Sequence, residues 1–299
     1  MQRPAPEMGR KLFIGLSASA AAVAGIAQAL AEPQTLGKPH PPLVPEDDPD
    51  ITVERPELSA GQASVDSYAA FPRANDKKTP GIVIVQHIWG VDAQIRDTVR
   101  RFAKAGYVTI APDLYAGMGA PSGDGVSDYT VFTPFASKLD PKETDAYIKE
   151  GATWIRSRVG SSPLERPPKV GVMGFCMGGK VALRAAIDDR GVFDAVVVFY
   201  GAVRWDDSKN QGPISDAALA YANDVKIPLM GQFGARDESI LPDDVRAMQA
   251  RLKVPHDIKI YPEAGHAFFD DTRARYVASA AADAWTRTLA WFGMYLSAR

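Results

Sequence analysis

The sequence predicts an α/β fold built on a mostly parallel, doubly wound sheet with helices on both faces. Three observations carry this. The runs Gly81-Ile-Val-Ile-Val-Gln86, Tyr107-Val-Thr-Ile-Ala111 and Val170-Gly-Val-Met173 are continuously apolar, as strands buried on both faces are. Segments of helical period separate them; Ile95, Val99, Phe102 and Ala103 fall on one helical face. Strands then alternate with helices to the end of the chain, which favours parallel pairing through crossover connections.

The elements follow in order. Arg3, Arg10 and Lys11 precede the Ala/Gly/Ser-rich apolar stretch Leu12–Ile26, and Ala29-Leu30-Ala31 offers small residues where a signal peptidase reads. Residues 1–31 are therefore expected to be a cleavable export signal, which makes the protein periplasmic or secreted. Its apolar part is too weakly hydrophobic for a stable membrane anchor after cleavage. Arg10-Lys11-Leu12-Phe13-Ile14 looks like a twin-arginine signal with lysine in the second basic place. Residues 32–50 carry six prolines, at 33, 39, 41, 42, 45 and 49, and are expected to form an extended tether. Residues 51–299 then read as a single domain. Ile51–Glu54 and Ala63–Ala70 alternate and suggest an opening antiparallel pair. After the strands near 81–86 and 107–111, the polar stretch Gly117–Leu139 is a candidate lid or pocket rim. Helices are expected near Lys142–Val159, Lys180–Ile187, Asp243–Leu252 and Arg275–Leu296. Further strands are expected at Ala195–Tyr200, Pro228–Phe233 and Asp257–Tyr261.

The chemistry is carried by Gly174-Phe-Cys176-Met-Gly178-Gly179. Strand, sharp turn and helix meet there, and the G-x-C-x-G spacing has the shape of the G-x-S-x-G nucleophile elbow with sulfur in place of oxygen. At the start of the helix, N–H groups and the helix dipole favour an anion such as a thiolate. A lone cysteine is ordinarily a small buried hydrophobe; the surrounding glycines make Cys176 a nucleophile candidate. It is the sole cysteine, which excludes a disulfide or a Cys-cluster metal site within one subunit. Of the four histidines, only His266 lies in a loop after a late strand, and Asp237 ends a glycine-bearing loop between it and the elbow. The order nucleophile, acid, histidine is that of the α/β-hydrolase fold. Asp237 would orient a His266 that serves as base.

The bulk numbers exclude other classes. The chain has 299 residues, 46% hydrophobic and 23% charged, with a net charge of −2 and no basic block. Nothing in this attracts nucleic acid, and no segment carries a phosphate-binding fingerprint.

Beyond the leader, the residues resemble the dienelactone hydrolase family. Gln86-His-Ile-Trp-Gly90, Ala111-Pro-Asp-Leu-Tyr115, Gly171–Gly179, Gly234-Ala-Arg-Asp237 and Ala264-Gly-His266 follow that family's order and spacing. The resemblance implies a Cys176–His266–Asp237 triad cleaving a small activated ester or lactone through a thioester, without cofactor or metal. It also implies an oxyanion hole from the N–H groups of Met177 and Ile88. The family's glutamate before that isoleucine is here His87, which stands either against the thiol or in the wall, bonded elsewhere. Two places where the family carries carboxylate-binding arginines hold none: one falls near Gly117, the other is Asp270. Arg273 and Arg275 lie close by, although arginines there are more often solvated. The absence of arginine argues against dienelactone itself and for a neutral or apolar acyl group. Trp89, Tyr115, Phe268 and Phe269 are the candidate pocket wall. Two other readings stay open: a binding or redox-responsive thiol protein on the same fold, and acyl transfer to an alcohol or amine.

Overall fold

The computed structural model describes residues 38–61, 63–76, 78–159, 167–187, 191–205 and 216–297. The expected export signal and the first part of the expected tether lie outside the described residues.

Strands β1 (Ile51–Glu54), β2 (Glu57–Ala60) and β3 (Ala63–Pro72) open the domain, and β1 and β2 each pair antiparallel with β3. Then follow β4 (Gly81–Val85), α1 (Ala93–Lys104), β5 (Val108–Pro112), the short α2 (Thr133–Ala136) and α3 (Pro141–Arg158). The elbow joins β6 (Val170–Phe175) to α4 (Met177–Ala185), and β7 (Ala195–Phe199), α5 (Asp216–Leu219), β8 (Leu229–Gly234), α6 (Pro242–Gln249), β9 (His256–Tyr261) and α7 (Ala278–Leu296) complete the order. The sheet runs β1-β3-β5-β4-β6-β7-β8-β9. From β5 to β9 every pairing is parallel, and β3 joins β5 antiparallel.

The continuous apolar runs do what their composition requires: β4 to β8 are buried along their whole length. Helices cover both faces. Phe102 of α1 packs on Trp285 and Phe292 of α7 on one side. Helices α3 and α4 meet each other on the other, over β4, β5, β6 and β7. The last helix starts three residues later than its pattern suggests, because Arg273–Tyr276 forms a turn whose arginine is engaged elsewhere.

The tether reading needs correction from Lys38 onward. Val44 is buried, and the Leu43 and Val44 N–H groups donate to the Asp97 carboxylate of α1 at 3.1 and 2.9 Å. Lys104 bonds Asp48 at 2.6 Å, and the His40 N–H donates to Asp271 O at 2.9 Å. Proline-rich chain makes no ladder of its own, but its free backbone groups are met here by buried side chains of α1. The segment is a strap lying along the domain.

Candidate active site

Every parallel strand delivers its following loop to the same edge of the sheet, its carboxyl end, where ligands of open α/β sheets bind. The loops after β4, β6, β8 and β9 meet there.

Cys176 sits between β6 and α4 with φ 54° and ψ −117°. A non-glycine residue in that region costs about 1–3 kcal/mol. The surrounding glycines make the turn possible. A Cβ on Gly174 would come within 2.0 Å of Gly178 O, and one on Gly178 within 2.3 Å of Gln86 O. The Cys176 N–H donates to Phe199 O at 3.0 Å, which ties the elbow to β7.

His266 Nε2 lies 3.1 Å from Cys176 Sγ, and its Nδ1 lies 2.7 Å from Asp237 Oδ2. Asp237 is held by its own loop, since Oδ1 accepts from the N–H groups of Ser239 at 2.8 Å and Ile240 at 3.0 Å. Burial pushes the His266 pKa down, but the bond to Asp237 and the contact with the sulfur outweigh it and raise it to about 10. For Cys176, burial pushes up, and the hydrogen bond and charge of His266 bring the net below the ordinary thiol value. The arrangement can hold a thiolate beside an imidazolium.

The structure brings Cys176, Asp237, His266, Ile88 and Met177 together. Met177 opens α4, where its N–H has no intrahelical acceptor. No acceptor among the described residues takes the Ile88 N–H. A cavity of about 630 Å³ opens over them. Its wall includes Ile88, Trp89, Cys176, His266, Ala267 and Arg273, with Gly125, Val126, Ser127 and Tyr129 from the stretch expected as a lid. Pro39 of the strap and exposed Arg275 complete the rim. His266 also borders a smaller cleft, together with Arg236, Glu238, Ser239, Gly265 and again Arg275.

Of the expected wall residues, Trp89 alone lines the cavity. Phe268 and Phe269 do not. The chain turns at Ala267, with φ 62°, and both rings are fully buried against Phe199, Tyr200, Tyr261, Phe175 and Trp285. Tyr115 is buried too, beneath the cavity, and its hydroxyl donates to Ile88 O at 2.9 Å. His87 makes no hydrogen bond to the thiol. Its Nδ1 accepts the Trp89 N–H at 3.1 Å, and its Nε2 lies 3.1 Å from Asp92 Oδ1.

Arg273 is not a solvated arginine. It donates to Asp92 at 2.9 Å, to Asp270 at 2.7 Å and to the Gly123 carbonyl at 3.1 Å, and it lies 3.9 Å over the Trp89 ring. Asp270 is correspondingly buried and paired, so it does not present a bare carboxylate to a substrate. The sequence reading missed Asp92 and the role of Arg273. Asp92 carries a local signal, because it caps α1 by accepting from the Ile95 N–H at 3.2 Å; Arg273 carries none.

The model of the dienelactone hydrolase family matches residues 65–296. A protein of Salmonella typhimurium named "Putative carboxymethylenebutenolidase" is 34% identical over 249 residues, 80% of this chain and 88% of that one. An Escherichia coli protein of the same name is 34% identical over 233 residues, 77% of this chain and 82% of its own length. The crystal structure of a "Putative Dienelactone Hydrolase" from Klebsiella pneumoniae superposes with a TM-score of 0.71 at 32% identity, covering 82% of this chain and 99% of the other.

Proposed function

The chain belongs to the dienelactone hydrolase family and is a hydrolase of esters or lactones; we propose that it works through a Cys176–His266–Asp237 triad and a thioester on Cys176. The observation that carries this reading is the continuous line of contacts from sulfur to Nε2 at 3.1 Å and from Nδ1 to Asp237 at 2.7 Å.

Cys176 Sγ, as the thiolate, adds to the substrate carbonyl carbon. The developing oxyanion is received by the N–H groups of Ile88 and Met177. As the tetrahedral adduct collapses, the C–O bond to the leaving group breaks, and protonated His266 delivers its Nε2 proton to the departing alkoxide. Neutral His266 then takes a proton from water, the hydroxide adds to the thioester carbonyl, and the thiolate leaves with the acid as product. Asp237 keeps the Nδ1 proton in place throughout and supports the imidazolium.

Ile88, Trp89, Val126 and Ala267 offer apolar surface for a small acyl group. The positions near Gly117 and at Asp270 lack arginine, and the Asp270 carboxylate is paired with Arg273, so it does not repel an anionic substrate. The exposed cation of the cavity rim is Arg275. The test is hydrolysis of an aryl acetate, a neutral lactone and a dienelactone by the protein and by Cys176→Ala. Mass spectrometry after rapid acid quench should find an acyl group on Cys176 that decays with turnover. Equal rates in the two proteins would remove Cys176 from the reaction. Loss of rate on Arg275→Gln confined to the carboxylate-bearing lactone would assign the rim charge to substrate selection.

A further inference from the structure

The loop after β4 is tight. The Gly90 N–H donates to His87 O at 3.2 Å and closes it. Within it, the peptide between Ile88 and Trp89 is held at both ends. Its N–H, from Trp89, donates to His87 Nδ1 at 3.1 Å; its carbonyl, from Ile88, accepts from the Tyr115 hydroxyl at 2.9 Å. A peptide unit is planar, so fixing both polar groups fixes the rotation of that plane. The neighbouring peptide carries the Ile88 N–H, and its orientation follows from where Ile88 is held.

His87 is fixed in turn. Because Nδ1 accepts an amide N–H, the ring proton is on Nε2, which faces Asp92 Oδ1 at 3.1 Å. Asp92 accepts from Arg273 at 2.9 Å, and Arg273 also holds Asp270 and covers Trp89. His87, Asp92 and Asp270 are all buried. The ring therefore has one amide to hold and one carboxylate to lean on, and neither is the thiol.

We propose that His87 is a positioning residue for oxyanion stabilisation, acting through the Trp89 amide, with Tyr115 gripping the other end of the same peptide. This rests on the thiol-hydrolase reading above. Deleting one oxyanion donor typically lowers kcat by about 10²–10³-fold; here the donor is loosened and not deleted, so the expected loss is about 10–100-fold.

The experiment uses the full chain with His87→Leu, His87→Asn, Tyr115→Phe and the His87→Leu/Tyr115→Phe double variant. Two reactions at Cys176 are compared. Hydrolysis of an aryl acetate needs both the thiolate and the oxyanion site. Carboxamidomethylation by iodoacetamide displaces iodide at a saturated carbon and forms no oxyanion, so it reads the thiolate alone. His87→Leu should lower kcat for the ester about 10–100-fold with KM within about threefold, and leave the alkylation rate and its pH profile unchanged. His87→Asn, whose side-chain oxygen can accept the Trp89 N–H, should recover most of the loss. The double variant should lose less than the product of the single losses, because both hold one peptide.

A parallel fall in alkylation would overturn the proposal, since His87 would then act on the thiol. So would unchanged hydrolysis in His87→Leu, or a lowered melting temperature without a change in kcat. If His87→Leu does not fold, His87→Asn and Tyr115→Phe carry the same comparison. Failure of the underlying reading looks different: Cys176→Ala would still hydrolyse the ester.

Discussion

Replacing Asp237 by asparagine separates the orienting carboxylate from everything else it does. Asparagine keeps an oxygen where Oδ1 accepts from Ser239 and Ile240, so the loop stays tied. It turns an amide N–H towards His266 Nδ1, the protonated nitrogen that lies 2.7 Å from Oδ2 in the parent. The His266 pKa rises from 6.5 to about 10 against the pull of burial. At 1.36 kcal/mol per unit, that is a net preference for the imidazolium of about 5 kcal/mol. Asp237 is foremost among the groups that raise it. Losing about 2–3 kcal/mol of that preference corresponds to about 10²-fold in rate. The amide also pins the opposite tautomer, with the proton on Nε2, so the ring cannot accept the thiol's proton. The equivalent change in serine triads costs about 10⁴. We therefore expect kcat/KM for an aryl acetate to fall by about 10²–10⁴-fold, with alkylation of Cys176 at neutral pH slowed and the melting temperature within a few degrees. Stopped-flow hydrolysis, iodoacetamide kinetics and calorimetry on the two proteins decide it. A variant within about threefold of the parent would refute the orienting role.

Four further outcomes are expected. Hydrolysis should be bell-shaped in pH: the acid limb lies below the ordinary thiol value because the Cys176 pKa is lowered, and activity falls near pH 10 as His266 loses the proton it gives the leaving group; a kcat/KM profile whose acid limb sits at a free-thiol pKa would contradict this. Phe268→Ala should cost about 3–5 kcal/mol and lower the melting temperature by about 10 °C, because the ring is wholly buried; a changed KM with unchanged melting would return Phe268 to the pocket wall. A chain starting at Ile51 loses the bonds of Leu43, Val44 and Asp48 to α1 and the Pro39 wall, so it should melt about 5–10 °C lower and gain on bulkier acyl esters relative to acetate; calorimetry and an acyl-length series read both effects. We also propose export through residues 1–31: Arg10→Gln with Lys11→Gln should leave the protein in the cytoplasmic fraction, and normal export of that variant would remove the proposal.

What the sequence made legible was local. The elbow needs glycines at fixed offsets because backbone approaches backbone there, and a Cβ at Gly174 or Gly178 would collide with a carbonyl. Buried parallel strands need unbroken apolar runs, which is why β4 to β8 could be located from composition alone. Where reading failed, the deciding fact was a direction or a distant partner. Phe268 and Phe269 follow His266 in sequence, but the chain has a positive φ at Ala267 and both rings are buried in the core against Phe199. Arg273 pairs with Asp92 across 181 positions, and no spacing rule reaches that far. Six prolines between 32 and 50 argue against regular structure; they say nothing about docking, which depends on Asp97, Arg100 and Lys104 in another segment.

The buried charges around the site suit what the proposed oxyanion hole demands. Oxyanion stabilisation works when donors are already oriented and need not reorganise as charge develops. Arg273 meets that demand for three segments at once. It ties the loop after β4 through Asp92 and the face of Trp89, the cavity rim through the Gly123 and Val126 carbonyls, and the loop after His266 through Asp270. A guanidinium presents five donors in a rigid plane, which a lysine cannot copy. With its donors used this way, the arginine is not free to bind a substrate carboxylate, and Asp270 is not free to repel one. The same pairing neutralises the inner wall and leaves exposed Arg275 as a cation at the rim, lining the cavity and the neighbouring cleft. Buried support inside and an exposed charge at the rim are therefore carried by two arginines two residues apart.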